Sequence, residues 1–171
     1  GVITDMGGFI ASCFKRGIRF VNIPTTLLSM VDASVGSKTG VDLGILKNQI
    51  GLFSNPEMVL IDSDYLKTVT ERELRSGLAE IIKYGYTFDK GLWEEIRSFD
   101  SVDLSRIIPL VHRSVEIKNK VVLDDLHESG LRKTLNFGHT AGHAIESYFL
   151  DNDSRVDLTH GEAVAAGMVF E

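Results

Sequence analysis

The sequence predicts an α/β segment followed by an all-helical segment. Up to residue 64, short apolar runs alternate with Gly-rich loops, and the runs 18–23 (IRFVNI) and 58–61 (MVLI) have the length and β-branched content of strands. After residue 65 the strand signals fade. We therefore expect residues 1–64 to be the end of a nucleotide-type α/β domain with a parallel sheet. Residues 65–171 are expected to form part of a helical domain.

The individual elements follow in order along the chain. A helix is predicted over 6–15, between the Gly-rich opening and the first strand, and the stretch 32–48 (DASVGSKTGVDLGILKN) is predicted to be a loop. Five more helices are predicted over 71–87, 90–98, 102–123, 136–149 and 161–171. Thr159 and Glu162 have the T-x-x-E spacing of a capping box, which places a helix start beside His160.

Composition narrows the class of protein. The chain has 171 residues and a net charge of -6, with no basic stripe to neutralise phosphates, so we do not expect a nucleic-acid partner. No apolar run approaches the ~20 residues that cross a bilayer, so we expect no membrane partner. A single cysteine, Cys13, fits a reducing compartment, and a cytoplasmic location is expected. The Gly-rich opening without an initial Met suggests a piece of a larger protein.

Three of the five histidines lie within the window 130–162. His139 and His143 are four residues apart, so on a helix they share one face. Glu146 lies on the same face and could join them as a ligand. His160 follows a polar loop. Catalytic zinc usually takes three ligands from histidines and carboxylates, and these histidines could supply them. Alternatively they are helix caps or polar groups of the core. Spacing alone leaves both interpretations open.

Two lysines mark candidate anion sites. Lys83 follows Glu80 by three residues, either as a solvated ion pair or as a functional face in which Glu80 binds a metal and Lys83 an anion. Lys38 lies among small residues whose backbone N–H groups can approach an anion. A flexible lysine-bearing turn explains that loop equally well.

The motifs occur together in a specific order: DMGGF, KRG, IPTTLL, VDASVGSKTG, KNQIG, LAEIIKYG, EIK, GLRKTLNFGHTAGHAIE and HGEAVAAGM. In this order they closely resemble the 3-dehydroquinate synthases, a branch of the sugar phosphate cyclase family. The resemblance covers essentially the whole chain, although members of the family are longer. It implies that the chain is a central piece, with the end of a Rossmann-like NAD-binding domain over 1–64 and the first part of a helical metal-binding domain over 65–171.

The resemblance also implies a role for each matching residue. The metal ligands are Glu80, His139 and His160, while His143 becomes a catalytic histidine that contacts the substrate phosphate. Polar groups that hold the phosphate and carboxylate are Lys38, Asn48, Lys83, Lys118, Arg132 and Asn136, with Asp32 in the substrate pocket. Contacts to NAD come from Asp5, Thr25, Thr26, Lys38, Lys47 and, more loosely, Tyr65, Leu66, Lys67 and Thr68. Arg16 reaches the neighbouring subunit's site, which implies a homodimer.

The implied reaction converts 3-deoxy-D-arabino-heptulosonate 7-phosphate to 3-dehydroquinate and phosphate, in the shikimate pathway of aromatic amino acid biosynthesis. NAD is regenerated in each turnover, and Zn²⁺ or Co²⁺ is the metal. Two alternatives are another sugar phosphate cyclase and a metal-dependent polyol dehydrogenase of related fold. Retention of Lys38, Asn48, Lys118 and Arg132 favours the dehydroquinate branch. A dehydrogenase typically has Asp in place of Glu80. A third alternative is that this piece is inactive by itself.

Two positions depart from the family pattern. Ser37 stands where the family usually has glycine, which reduces the freedom of the backbone beside Lys38. The spacer between His143 and His160 is a few residues longer than usual, and we expect a surface loop to absorb it.

Overall fold

The computed structural model describes residues 1–44, 46–151 and 158–171, without the side chains of Leu46, Lys47, Leu150 and Asp151. Its described helices are Val2–Cys13 (α1), Glu71–Phe88 (α2), Lys90–Ile96 (α3), Leu104–Asp124 (α4), His139–Asp151 (α5) and His160–Phe170 (α6). The described strands are Val21–Asn22 (β1), Lys38–Leu43 (β2), Leu46–Phe53 (β3) and Met58–Val59 (β4). No helix in these ranges is both long enough and apolar enough to cross a membrane.

The first part of the chain has α/β character, as predicted. β1 and β4 pair in parallel, with Val21 opposite Met58 and Asn22 opposite Val59. Both strands are shorter than the apolar runs 18–23 and 58–61. Several apolar residues of these runs outside the paired positions are exposed, among them Ile18, Ile23 and Leu60. The apolar runs therefore identified the strands, while the pairing partner determined their length.

The prediction of a loop over 32–48 is wrong. β2 and β3 form an antiparallel hairpin in which Gly40 lies opposite Gly51. A Cβ added to Gly51 would lie 2.2 Å from the carbonyl oxygen of Thr39, so these strands approach too closely for any side chain at that position. Glycine thus permits the cross-strand contact here, whereas in the sequence it resembled a loop signal.

All five helices predicted after residue 65 are present, with shifted ends. α5 begins at His139, three residues later than expected, because Leu131–Asn136 forms a 3-10 helix before it. α6 begins at His160, and the predicted capping box of Thr159 and Glu162 is present there. The prediction that His160 stands at a helix start is therefore confirmed.

One hydrophobic core joins the two parts of the chain. Leu27, Met30 and Val31, which enter or lie in the π-helical turn Ser29–Ala33, are fully buried against residues of α2 and α4 such as Ile81 and Leu110. This packing fixes the turn between α2 and α4. It brings Asp32, a partly buried residue of the turn, next to polar residues of both helices.

Candidate active site

Helix α2 carries a charged pair into the protein interior. Glu80 has 0% and Lys83 1% of its side chain exposed, and the Lys83 ammonium donates to Oε2 of Glu80. The solvated interpretation of this pair is therefore wrong. The helix is packed against α4, α6 and the π-helical turn, so its polar face is covered as well as its apolar face. A buried pair of this kind requires further polar groups around it.

Glu80 and two histidines form a metal-ligating group. Nε2 of His139 lies 3.6 Å and Nε2 of His160 lies 3.7 Å from Oε1 of Glu80, and the three ligand atoms all lie within 4.8 Å of one another. Among described side chains, Oε1 of Glu80 is a buried oxygen with no hydrogen-bond partner. An orphaned carboxylate oxygen facing two imidazole nitrogens fits a divalent cation such as Zn²⁺ or Co²⁺.

The electrostatics of this group favour positive charge between the ligands. Burial tends to raise the pKa of Glu80, but the Lys83 ammonium together with the imidazoles of His160 and His139 holds that pKa below its usual value. Burial, together with Lys83, lowers the pKa of His139, so its ring is neutral at pH 7. Burial also opposes protonation of His160, but the neighbouring carboxylates of Glu146 and Glu80 raise its pKa to about 9. A proton or a metal ion at the His160 ring satisfies these carboxylates.

His143 lies beside the metal-ligating group. Its ring centroid is 5.3 Å from that of His139 and 5.8 Å from that of His160. It forms a second group of possible ligands with Glu146 and His160, whereas spacing had suggested a set of the three histidines. The two groups share His160, and the orphaned oxygen of Glu80 favours the first as the metal site.

A polar pocket adjoins His139. Its lining residues are Asp32, Lys38, Lys83, Lys118, Glu128, Arg132, Leu135, Asn136 and His139. Four of these side chains are cations, which together suit a ligand carrying both a phosphate and a carboxylate. The structure thus brings together most of the residues that the resemblance assigns to the substrate.

Asp32 is held at the back of this pocket. Lys118 donates to its Oδ1 across 2.7 Å, and the Tyr84 hydroxyl donates to the same oxygen across 2.7 Å. Burial tends to raise the pKa of Asp32, but Lys118 and Lys83 outweigh burial and hold it well below its usual range. Asp32 therefore remains a carboxylate and orients the Lys118 ammonium.

Arg132 is positioned by backbone carbonyls on two sides of the pocket. Its Nη1 donates to the carbonyl of Leu126 across 2.7 Å, and its Nη2 donates to that of Gly36 across 2.6 Å. The neighbouring Ser37 has φ 62°, a left-handed conformation that favours glycine. The family usually has glycine at this position, and the backbone of Ser37 has the conformation that glycine adopts most readily.

Two residues of the site were not predicted. Glu128 pairs with Lys38 and accepts a hydrogen bond from the Asn136 amide, so it connects two predicted substrate ligands. It lies in a polar stretch with no pattern that distinguishes it. Tyr84 follows Glu80 by one helical turn within LAEIIKYG, and this spacing could have placed its hydroxyl near the site.

Comparison with known proteins identifies the family. The family model described as the 3-dehydroquinate synthase N-terminal domain matches residues 1–76, and the C-terminal one matches residues 77–171. The chain belongs to the 3-dehydroquinate synthase family. It is 50% identical to 3-dehydroquinate synthase of Synechococcus sp. over 99% of this chain and 46% of that protein, and 51% identical to that of Acaryochloris marina, with the same coverage. The chain thus spans about half the length of the curated relatives it matches.

Solved structures of sugar phosphate cyclases share the fold. A 2-epi-5-epi-valiolone synthase from Streptomyces hygroscopicus, with NAD⁺ and Zn²⁺ bound, matches 96% of this chain and 46% of its own at TM-score 0.87 and 33% identity. A 2-deoxy-scyllo-inosose synthase complexed with carbaglucose-6-phosphate, NAD⁺ and Co²⁺ matches 95% of this chain and 44% of its own at TM-score 0.82 and 28% identity. The predicted fold class is confirmed.

Several residues that the 3-dehydroquinate synthase family resemblance assigns to the site lie outside the pocket. Arg16 is exposed just after α1, and Asn48 is exposed on β3, where its backbone N–H donates to Asp42. Neither lines the pocket, and the roles assigned to them remain predictions. The side chain of Lys47 lies outside the described residues.

The residues assigned to NAD occupy different environments. Burial raises the pKa of Asp5, on α1, to about 6. Thr25 is exposed, and the hydroxyl of Thr26 lies 2.9 Å from that of Ser29. Leu66 is fully buried in the core, so neither its side chain nor its backbone offers exposed surface to a cofactor. Leu66 belongs to a 3-10 helix over Ser63–Thr68, and the other residues of this helix that are assigned to NAD are exposed: Tyr65, Lys67 and Thr68.

Proposed function

We propose that the protein containing this chain is a 3-dehydroquinate synthase. It converts 3-deoxy-D-arabino-heptulosonate 7-phosphate to 3-dehydroquinate and phosphate, as a carbon–oxygen lyase of aromatic amino acid biosynthesis. The observation that carries the proposal is the group formed by the buried Glu80 with the partly buried His139 and His160, directly beside a pocket with four cations. Relatives of that name at about 50% identity over nearly the whole chain support the same assignment.

The proposal includes two bound cofactors, which the chain's residues fit. NAD supplies reversible hydride acceptance, and Zn²⁺ or Co²⁺ supplies positive charge at the substrate hydroxyls. Residues 1–64 are the C-terminal part of the NAD-binding domain. Contacts to NAD come from Asp5, Thr25, Thr26, Lys38 and Lys47, and from Tyr65, Lys67 and Thr68 just after that domain. Residues 65–171 begin the helical domain, in which Glu80, His139 and His160 hold the metal. Solved relatives with bound NAD⁺ and Zn²⁺ or Co²⁺ support this choice.

The pocket residues bind and orient the substrate. Lys38, Lys118 and Arg132 neutralise its phosphate and carboxylate, while Asn136 donates hydrogen bonds. Lys83 adds positive charge next to the metal group, and His143 contacts the phosphate that leaves. Positioning and electrostatic stabilisation of the departing phosphate supply most of the rate enhancement.

Assembly and location complete the proposal. Arg16 and Asn48 are both exposed. We place Arg16 at the site of a second subunit in a homodimer. Asn48 completes the pocket of its own subunit when substrate is bound. The protein works in the cytoplasm on a small sugar acid phosphate. The 171-residue chain by itself is inactive.

A second candidate is a sister cyclase that acts on another sugar phosphate. The structural match to a 2-epi-5-epi-valiolone synthase at TM-score 0.87 favours it. Identity to that protein is 33%, against 50% to the dehydroquinate synthase from Synechococcus. The pocket cations also suit a substrate with a carboxylate as well as a phosphate, so the dehydroquinate assignment takes precedence.

The test is a turnover assay on the full-length protein that contains this chain. The heptulosonate phosphate is supplied with catalytic NAD and Zn²⁺, and phosphate release and dehydroquinate are followed. Glu80→Ala and His160→Ala remove metal ligands, and Glu116→Gln, an exposed substitution on α4, is the matched control. We expect turnover without net NADH, abolished in the first two variants and unchanged in the third.

Other outcomes redirect the assignment. Net NADH formed from a polyol would establish a dehydrogenase instead. Turnover of a different sugar phosphate, with none of the heptulosonate, would establish the sister cyclase.

A further inference from the structure

Glu146 lies against the far side of the His160 ring from the metal group. Its Oε2 is 3.4 Å from Nδ1 of His160, while Nε2 of the same ring is 3.7 Å from Oε1 of Glu80. The Glu146 side chain is largely buried on α5, with 9% exposed. His160 is thus held between two carboxylates, one at each ring nitrogen.

The contact with Glu146 determines which nitrogen of His160 is available to a metal. A carboxylate only accepts hydrogen bonds, so Nδ1 must carry the hydrogen. In the neutral ring the lone pair is then on Nε2, which faces Glu80. His139 has a similar arrangement, because its Nδ1 lies 3.2 Å from the carbonyl oxygen of Phe137 and its Nε2 faces Glu80. Both rings therefore present Nε2 to Oε1 of Glu80.

Geometry argues against Glu146 as a ligand of the same ion. The lone pairs of the two imidazole nitrogens diverge, so an ion bound at Nε2 of His160 is on the opposite edge of the ring from Glu146. The orphaned oxygen of Glu80 lies on the Nε2 edge. Glu146 therefore acts on the metal through His160.

We infer that Glu146 is a positioning residue of the metal centre: it fixes the tautomer and plane of His160 and increases the basicity of Nε2. This inference rests on the proposed function, since it deepens the role of the same site. The helix face that Glu146 shares with His139 and His143 made it a possible ligand by spacing, and the geometry at His160 gives it a different role. A carboxylate raises the basicity of a ligating imidazole more than a backbone carbonyl does.

Metal affinity of the full-length protein tests the inference independently of catalysis. The dissociation constants of Zn²⁺ and Co²⁺ are measured by competition with a chromophoric chelator, without NAD or substrate. Glu146→Met keeps the side-chain length but removes the acceptor, and we expect it to weaken metal binding by roughly 10- to 100-fold. Glu146→Gln keeps an uncharged acceptor, and we expect a loss near the lower end, of roughly 10-fold. Glu116→Gln removes one exposed carboxylate and should leave the affinity unchanged.

The Co²⁺ absorption spectrum separates a positioning role from ligation. With Co²⁺ at saturation, Glu146→Met should retain the wild-type visible bands, because the ligands are the same. A changed spectrum, with an affinity loss as large as that of His160→Ala, would show Glu146 to be a ligand and overturn the inference. The unfolding midpoint of each metal-free variant checks that it is folded, and Glu146→Gln carries the test if Glu146→Met does not fold.

Failure of the inference is distinguishable from failure of the proposed function. Wild-type affinity in the folded Glu146 variants, in a protein that binds metal and forms dehydroquinate, would overturn only the positioning role. A wild-type protein that binds neither Zn²⁺ nor Co²⁺ would overturn the proposed metal centre and, with it, the inference.

Discussion

Glu80 shows how one buried residue serves two partners. Its Oε2 accepts from the Lys83 ammonium, which lets the carboxylate remain charged in the interior, and its Oε1 faces the nitrogens of His139 and His160. Breaking a buried ion pair by removing one partner typically costs about 3–5 kcal/mol, because it leaves an uncompensated charge. The pair therefore holds the metal ligand in its charged form.

Ser37 has a left-handed backbone conformation, which is unfavourable for a residue with a Cβ atom. Its φ of 62° costs a non-glycine residue roughly 1–2 kcal/mol, part of which is offset in a glycine variant by greater freedom of the unfolded chain. We expect Ser37→Gly to raise the free energy of unfolding by about 0.5 kcal/mol or leave it unchanged. Ser37→Val, which is β-branched, should lower it by roughly 2 kcal/mol. Urea denaturation measures both, and equal stability of the two variants would contradict the assignment of strain to this position.

At the scale of elements, Asp125 organises the loop that presents Arg132. It accepts hydrogen bonds from the backbone N–H groups of Gly130, Ser129 and Arg132, at 2.7, 2.9 and 3.1 Å. The N–H groups of Gly130 and Ser129 contribute most to lowering the pKa of Asp125 to about 2 from its usual 3.8. The folded loop thus depends on the ionised carboxylate.

The stability of this loop should depend on pH in the acid range. Because the folded pKa is depressed, the contribution of Asp125 is complete above about pH 4 and is lost as the pH falls from about 4 to about 2. We expect Asp125→Asn to be less stable than wild type at pH 6 and to lose less stability on acidification to pH 2.5. Urea unfolding at both pH values measures this, with Asp100→Asn, an exposed substitution, as control. Parallel acid losses in wild type and Asp125→Asn would count against the role of the carboxylate.

Gly161 sets the distance between α2 and α6. A Cβ on this residue would lie 2.1 Å from the carbonyl oxygen of Ser76, and its N–H donates to the Ser76 hydroxyl across 3.0 Å. We expect Gly161→Ala to push α6 away from α2 and so to separate His160 from Glu80. The measurable result is a loss of Zn²⁺ affinity and of thermal stability.

A glycine in open space provides the matched control for that prediction. A Cβ added to Gly7, on α1, would meet no neighbouring atom of the described residues within 4 Å. Gly7→Ala should therefore keep the metal affinity and, through helix propensity, gain roughly 0.5–1 kcal/mol of stability. If Gly161→Ala binds Zn²⁺ as tightly as Gly7→Ala does, the close approach of the two helices does not position the metal ligands.

At the scale of the whole molecule, some of the most exposed apolar side chains lie near both ends of the described chain. Val2 and Ile3 on α1 are 76% and 74% exposed, and Val169 and Phe170 on α6 are 86% and 77% exposed. Exposed apolar patches mark surfaces that bind other protein. Because the relatives are about twice as long, we expect these residues to be covered in the full-length protein.

The 171-residue chain should therefore differ from the full-length protein in two ways. We expect it to bind more of the dye 8-anilinonaphthalene-1-sulfonate per molecule, and to form no dehydroquinate from the heptulosonate phosphate with NAD and Zn²⁺. Fluorescence titration and the turnover assay, at equal molar concentrations, measure the two expectations. Dehydroquinate produced by the short chain would show that the described residues suffice for catalysis.

Local patterns in the sequence predicted much of this protein. Periodicity located all five helices after residue 65, and the T-x-x-E spacing predicted the start of α6 beside His160. The motifs identified the family through their combination and order, which is far more specific than any single motif. These properties depend on residues close in sequence or on a motif set read as a whole.

Other properties depend on contacts between distant parts of the chain, and only the tertiary structure decided them. The β2–β3 hairpin was missed because Gly40 and Gly51 acquire their meaning only when the strands meet. Glu80 and Lys83 resembled a surface pair until α4 and α6 covered them. Spacing alone suggested a set of His139, His143 and His160. The resemblance implied Glu80, His139 and His160 instead, and the packing of the helices brings the ligand atoms of that set together. Burial removes water from these groups, and this decides which charges must be paired and which atoms remain to bind a metal.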